Sequence, residues 1–283
     1  ITHLVRIAAQ TIFVQSIWEG LATHAWSDAQ LAELQTALAP LDFLTEFHES
    51  MRGERAGSIA YVELMRRKRD FQILLALGNA FGNENSKVKT ANSPLDEAEE
   101  FLSATSFYAM PDGWFYETEL AYAVMHQKWN FPKVDVSGRL VSPARSKQLD
   151  DEARFALKPN SVKNILARLL FESLGRATSK SARAQSYLDL LRTALALERH
   201  RLAHGEYPAT LDALAPQFLA QVPHDLINGQ PLHYRREASG QFILYSVGWN
   251  ETDDGGAVVL KEKSRTVDTD QGDWVWRYPA TTK

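Results

Sequence analysis

The sequence predicts an α+β protein with a mainly helical N-terminal part, residues 1–178, and a C-terminal part, residues 179–283, in which one long helix is followed by short strands. Three observations lead there. Apolar residues recur every three or four positions through most of residues 4–204, the period of helices with one buried face. After Gly205 that period stops, and Pro208, Pro216 and Pro223 punctuate short segments with hairpin signals. A chain of 283 residues also sits where a single hydrophobic core stops growing, which favours two domains.

Taken in order, Leu4, Ile7, Ala8, Ile12, Phe13, Ile17 and Leu21 form the stripe of a first helix over 4–25, with Arg6, Gln10 and Glu19 off it. Ser27 and Gln30 stand at capping-box spacing and open a second helix, 28–39, which Pro40 ends. Asp42 is placed to cap a third, 43–81, carrying Leu44, Phe47, Met51, Val62 and Met65. Residues 82–94, rich in Asn, Ser, Lys and Gly, read as a loop. Helices over 95–105 and 114–129 flank the turn Pro111-Asp112-Gly113. Residues 131–159 hold three prolines and no sustained period, an irregular excursion of the kind that is functional or flexible. Helices over 161–176 and 181–204 follow, the second with Leu188, Leu191, Leu195 and Leu202 in one row. Thr210 is placed to cap the short helix 211–214. Residues 232–236 and 242–247 read as strands joined through Ala238-Ser239-Gly240, with 258–261 and 274–278 as further extended segments.

Composition narrows the function classes. With 45% hydrophobic and 23% charged residues the chain is globular rather than disordered. The net charge of -4 gives no global attraction for nucleic acid or an anionic membrane. Cysteine is absent, which removes disulfides, thiolate nucleophiles and Cys-based zinc sites. The longest stretch free of charge, 71–83, contains Gln72 and Asn79 and is too short and polar to span a bilayer. The chain starts at Ile1, so membrane attachment is expected only through a segment preceding it.

Catalytic motifs are missing: no Gly-x-Ser-x-Gly elbow, no phosphate loop and no dinucleotide fingerprint occurs. His200 and His204 have zinc-helix spacing, but the segment reads His-Arg-Leu-Ala-His without the catalytic glutamate, so a solvated face is favoured. Glu198 falls beside the leucine row, where it meets a buried donor. Glu49, Arg52, Glu54 and Arg55 read as an intrahelical ion-pair network, and the run Arg66 to Arg69 as a solvated face. Trp114, Phe115 and Tyr116 read as a core plug, with a ligand groove as the alternative.

The last hundred or so residues carry a resemblance. ALALERHRLAHGEYP (residues 194–208), LDAL (211–214), VPHDLINGQPLHYR and FILYSVGWNETDDGG (242–256) stand in an order that resembles the globular head of the major pseudopilins of type II secretion. That resemblance implies a long helix packed on a small antiparallel sheet and an acidic C-terminal loop that binds calcium. His224 to Gly229 stand where the family has a tighter Asp-Pro-Trp-Gly turn. With SDAQLAEL, MRGERA and PDGWFY ahead of it, the whole chain also resembles a group of bacterial envelope proteins from which no activity transfers.

Asn250, Asp253 and Asp254 precede Gly255 and Gly256, and Asp268, Asp270 and Asp273 lie a short loop later. A hairpin would bring the two acidic clusters together, and the family likeness makes calcium the candidate, shared by Asp253 or Asp254 with Asp268 or Asp270. The alternative is an acidic, solvated turn. The expected function is a non-catalytic structural or partner-docking module of the bacterial cell envelope, periplasmic, meeting a protein partner or further copies of itself. A hydrolase or other enzyme with a groove around residues 114–129 is the alternative.

Overall fold

The computed structural model describes residues 2–69, 107–156, 176–262 and 266–277. The loop expected over 82–94 and the helices expected over 95–105 and 161–175 lie outside them. The fold is α+β, with helices α1 (Thr2–Ala22), α2 (Asp28–Leu38), α3 (Phe43–Lys68), α4 (Asp112–Met125), α5 (Pro143–Ala156) and α6 (Ala177–His204). Strands β1 (His233–Arg236), β2 (Phe242–Ser246), β3 (Val258–Leu260), β4 (Val267–Gly272) and β5 (Trp274–Arg277) complete it. Among the described residues no helix is long and apolar enough to cross a membrane.

The chain forms two compact units, and they differ from a single cut at residue 178. One unit comprises Ile1–Phe47, Val134–Ser146 and Thr178–Lys283, the other His48–Lys133 and Lys147–Ala177. The physical reason lies in α1 and α2. Ile17 and Leu21 of α1, Leu31 and Leu38 of α2, and Phe43 share one apolar cluster with α6 and the sheet residues Phe242, Leu244 and Trp276. The N-terminal helices therefore complete the core of the C-terminal sheet.

Local sequence explains the element ends. Ser27 and Gln30 close a capping box at α2, with Ser27 N–H donating to Gln30 Oε1 at 3.0 Å. Asp42 Oδ1 accepts from the N–H groups of Leu44 (3.0 Å) and Thr45 (3.2 Å) at the start of α3. Thr210 precedes the short helix Leu211–Leu214 without a side-chain cap. Ser142 Oγ accepts from Arg145 N–H at 3.1 Å and Pro143 takes the first helical position, so half of the expected irregular excursion is the helix α5.

α1 buries part of the expected face, with Ile17 and Leu21 in the core and Ile7 and Phe13 packed against it, but not all of it. Gln10 is buried, whereas Leu4 and Ile12 are 46% and 74% exposed. The Gln10 amide donates to Ala184 O at 2.7 Å, and His3 Nε2 meets Ser181 Oγ at 2.8 Å, so polar groups pin α1 to α6 ahead of the apolar contacts of Ile17 and Leu21.

α6 is enclosed on nearly every face. Leu188, Leu190, Leu191, Ala194, Leu195, Ala196 and Leu197 are all buried, the pattern of a helix with partners all round. Leu202 departs from the expected row at 42% exposure, because the last turn is flanked by Arg199, His200, Arg201 and His204. The sheet order is β1-β2-β5, antiparallel, with Tyr234 opposite Leu244 and Leu244 opposite Trp276. Those residues join the α6 cluster, while Ile243 and Tyr245 face the other side. There Gly256, at φ +83, lies so close that an added Cβ would sit 3.2 Å from Ile243 and 3.4 Å from Tyr245. β4 lies outside the segments that the sequence pattern marks as extended; it pairs with β3 as a separate two-stranded ribbon.

In the second unit Val62, Met65, Phe115, Tyr122, Met125, Trp129 and Leu149 form the core. Of the aromatic run, Phe115 is core, whereas Tyr116 is exposed. Glu63 accepts from Arg66 and Arg67, and Asp112 pairs with Arg66 and Arg69, so the three arginines of the basic run are ion-paired locally with two carboxylates.

Leu195→Ala is expected to lower unfolding free energy by about 2 to 5 kcal/mol in urea titrations, through lost transfer energy and a residual cavity. Leu202→Ala is expected to change it by no more than about 0.5 kcal/mol, as surface substitutions do.

Candidate functional site

The remaining part of the excursion, residues 134–142, builds a cleft in the first unit. Asp135 and Leu140 exchange both backbone hydrogen bonds, at 2.9 and 3.0 Å, and the Asp135 carboxylate accepts from Ser137 Oγ (2.7 Å) and Gly138 N–H (2.9 Å). An added Cβ at Gly138 would fall 2.4 Å from Asp135 Oδ2, so a larger residue there would push that carboxylate aside. Arg139 follows in the left-handed region, φ +50, a conformation that disfavours a residue with a Cβ by about 1 kcal/mol or more.

A second loop holds this turn. Val141 N–H donates to Leu226 O at 2.8 Å, and His224 Nε2 donates to Arg139 O at 3.2 Å. Buried Asp225 accepts from Ile227 N–H (2.9 Å), Ser246 Oγ (2.9 Å) and Val247 N–H (2.8 Å), tying the loop to the end of β2. The His224 to Gly229 stretch is thus where residues 139–141 dock.

The cleft has a volume of about 380 Å³, lined by Ser137, Gly138, Arg139, Asp189, Arg192 and the segment Leu219 to His224. Asp189, from α6, is buried beside two guanidinium groups. Its Oδ1 accepts from Gln185 Nε2 (2.9 Å) and Arg192 Nη1 (3.2 Å), and its Oδ2 meets Arg139 Nη2 at 3.3 Å. Burial pushes the Asp189 pKa up, against the pull of Arg139, Gln185 and Arg192. Arg192 Nη2 donates to the carbonyls of Leu38 (2.6 Å), Ala39 (3.1 Å) and Leu41 (2.8 Å), where α2 ends. None of these residues stood out as a site in the sequence. The available signal was Asp189 three positions before Arg192, set among Leu188, Leu190 and Leu191.

The acidic C-terminal residues occupy two places. Asp253 Oδ1 accepts from Tyr245 O–H (3.0 Å) and Gly255 N–H (2.9 Å), and Asp254 Oδ2 accepts from Asn250 Nδ2 (2.9 Å). Asp273 accepts from Gly256 N–H (2.7 Å) and Asp254 N–H (3.3 Å), folding the loop over the sheet. Asp268 and Asp270 lie on β4, where Asp268 accepts from Asp270 N–H at 3.1 Å. Among the described residues no three His, Asp or Glu side chains gather as a metal-binding group. His200 and His204 stack at 4.2 Å, with His200 Nδ1 on Glu206 O.

The second unit holds a buried polar face. Tyr122, His126, Trp129 and Asn130 recur at helical spacing through α4 and the π-helical turn His126–Asn130. The Tyr122 hydroxyl, both His126 nitrogens, Trp129 Nε1 and Asn130 Nδ2 are buried without a hydrogen-bond partner among the described residues. Burial, then the charges of Arg55 and Lys133, lower the His126 pKa to about 4. Nearby, Lys133 Nζ pairs with Asp150 at 2.5 Å.

No protein family, curated protein or solved structure matches this chain.

His126 sets a pH dependence. The unfolded chain takes up this proton below its ordinary pKa of 6.5 and the folded chain only below about 4, so acid favours unfolding across that window. Stability is expected to fall by up to about 3 kcal/mol as pH drops through it. Urea titrations at stepped pH should show His126→Phe with a flatter profile between those values.

Proposed function

We propose that the protein is a non-catalytic, partner-docking module of the bacterial cell envelope, with a pseudopilin-like C-terminal part that joins a second copy through the β3–β4 ribbon. One observation carries the docking reading. Val258, Val259, Leu260 and Val267 are 39% to 51% exposed, so both faces of the ribbon present apolar side chains to water. Among the described residues β3 and β4 pair as strands only with each other; Thr269 O of β4 accepts from Trp274 Nε1 at 3.3 Å, and no further strand lies beside the outer edge of β3. Lone proteins usually blunt such edges with charge or proline, and β3 is Val-Val-Leu. Edge-to-edge pairing of β3 with β3 is antiparallel under two-fold symmetry and uses the same patch on both copies. The envelope location is supported by the order of motifs from Ala194 to Gly256.

The enzyme alternative places its groove around residues 114–129, where His126 is the one histidine. That imidazole is fully buried, so it has no surface to offer a substrate in the described conformation, and docking is the better-supported reading.

Sedimentation equilibrium tests the ribbon. The protein is expected to dimerise at about 10 to 100 μM, the weak range of a small interface. Leu260→Lys is expected to remain monomeric there with its melting temperature unchanged. A monomeric parent protein would overturn self-pairing.

Calcium at the C-terminal loop is proposed on the family likeness alone, with Asp253 or Asp254 and Asp268 or Asp270 as ligands. Calorimetric titration of chelator-treated protein is expected to show heat of binding and a raised melting temperature at about millimolar calcium. Absence of both would leave the hydrogen-bonded turn.

A further inference from the structure

We propose that the cleft of Arg139 and Arg192 binds a carboxylate attached to a short apolar group, as at the C-terminus of a peptide ending in leucine. The inference does not depend on the ribbon or its pairing.

Donor accounting comes first. A guanidinium carries five N–H donors. Arg192 is well engaged, by three carbonyls and Asp189. Arg139 is not: its shortest contact to Asp189 is 3.3 Å and its contact to Asp42 is 3.6 Å, beyond hydrogen-bond length. Asp189, meanwhile, already receives Gln185, Arg192 and Arg139 and lies buried. The lining thus holds two guanidinium groups and one buried carboxylate, with the Asp42 carboxylate 3.6 Å from Arg139 outside it, and among the described residues Arg139 keeps donors available to an incoming oxyanion.

Backbone conformation points the same way. A turn that needed only to close at position 139 would be served by glycine or asparagine, which accept the left-handed region. Arginine stands there at φ +50, and the strain is held by the Asp135–Leu140 pairing and by His224. Such strain is found where a side chain has to be presented.

The remaining wall sets the ligand's second half. Leu219, Val222 and Pro223 line the cleft beside the guanidinium groups, and the volume of about 380 Å³ suits a small ligand. Inorganic phosphate alone would leave that wall wet. A purely apolar ligand would cover Arg139 without satisfying it. A carboxylate with an apolar neighbour meets both demands, and it has two sources: a peptide end or a free aliphatic acid.

Calorimetry or NMR titration on the whole protein tests this with four probes: acetyl-Gly-Leu, its C-terminal amide, 4-methylpentanoate and inorganic phosphate. Acetyl-Gly-Leu is expected to saturate with a Kd of about 1 mM or tighter, and its amide to bind about tenfold more weakly or worse. Tighter binding of the peptide than of 4-methylpentanoate assigns a peptide end, and the reverse assigns a free acid. Arg139→Lys, which keeps the charge and removes the fork, is expected to weaken binding about tenfold. Gln221 is an exposed member of the rim, so Gln221→Glu should weaken and Gln221→Lys strengthen binding without touching the core. Those two variants decide the matter if the Arg139 variant fails to fold. The proposal is overturned by absent saturation at about 10 mM acid, by equal binding of acid and amide, by phosphate binding as tightly as the acids, or by unchanged affinity in the Gln221 variants.

Discussion

Glu198 is the constraint on which the first unit turns. Its carboxylate is fully buried, a state that is strongly unfavourable for a charge without partners. Four donor contacts surround it: Arg201 Nε at 2.9 Å and Nη2 at 2.6 Å, His24 Nδ1 at 2.9 Å, and Tyr207 O–H at 2.8 Å. Burial alone would raise its pKa, yet the hydrogen bonds from Arg201, His24 and Tyr207 outweigh it and hold the group below the usual carboxylate range. His24 stands at the α1–α2 corner in the left-handed region, φ +53, and Tyr207 packs edge-on against Phe242 of β2 at 4.9 Å. One carboxylate therefore joins the N-terminal corner, the long helix and the sheet. Removing Arg201 takes the guanidinium from a charge in the core, which is far more unfavourable than losing one surface ion pair.

This node explains why the chain does not divide at residue 178. A helix enclosed on nearly every face through residues 188–198 needs more than a three-stranded sheet on one side, and α1 and α2 supply the rest. Polar side chains set their position: Gln10 on Ala184 O, His3 on Ser181, Gln35 Nε2 on Phe218 O at 3.1 Å, and Arg192 on the carbonyls that end α2. Apolar contact alone is nondirectional and would tolerate a slide by one helical turn, whereas each of these bonds is met at a single register.

The sequence made the local grammar legible. Capping at Ser27 and Asp42, the hairpin through Gly240 and the change of pattern after Gly205 are short-range features, decided by residues within a few positions of one another. Glu198 was legible too, because a carboxylate beside a leucine row has to find a donor. What escaped was long-range. Gln10 looked like surface because its acceptor, the Ala184 carbonyl, is 174 positions away. The cleft escaped for the same reason: Arg139, Asp189 and His224 come from three distant segments and carry no common spacing. β4 was hidden by its composition, Val-Asp-Thr-Asp-Gln-Gly, which reads as a turn until β3 is placed beside it.

The same long helix bears Gln185, Asp189 and Glu198, buried polar groups in and beside the buried leucines and alanines of residues 188–197. Their partners divide by purpose. Gln185 Oε1 accepts Phe43 N–H at 2.8 Å, closing the start of α3 with a neutral amide. Glu198 is satisfied by donors that are themselves structural. Asp189 receives Gln185 and Arg192 from its own helix, but its third donor, Arg139, comes from a strained turn and contacts it at the long end of the range. A purely structural role for Arg139 would favour the shorter, saturated geometry seen around Glu198. The loose contact leaves the Arg139 fork oriented by Asp189 without being neutralised by it, the arrangement that pre-positions a cation for a ligand at the mouth of a cleft.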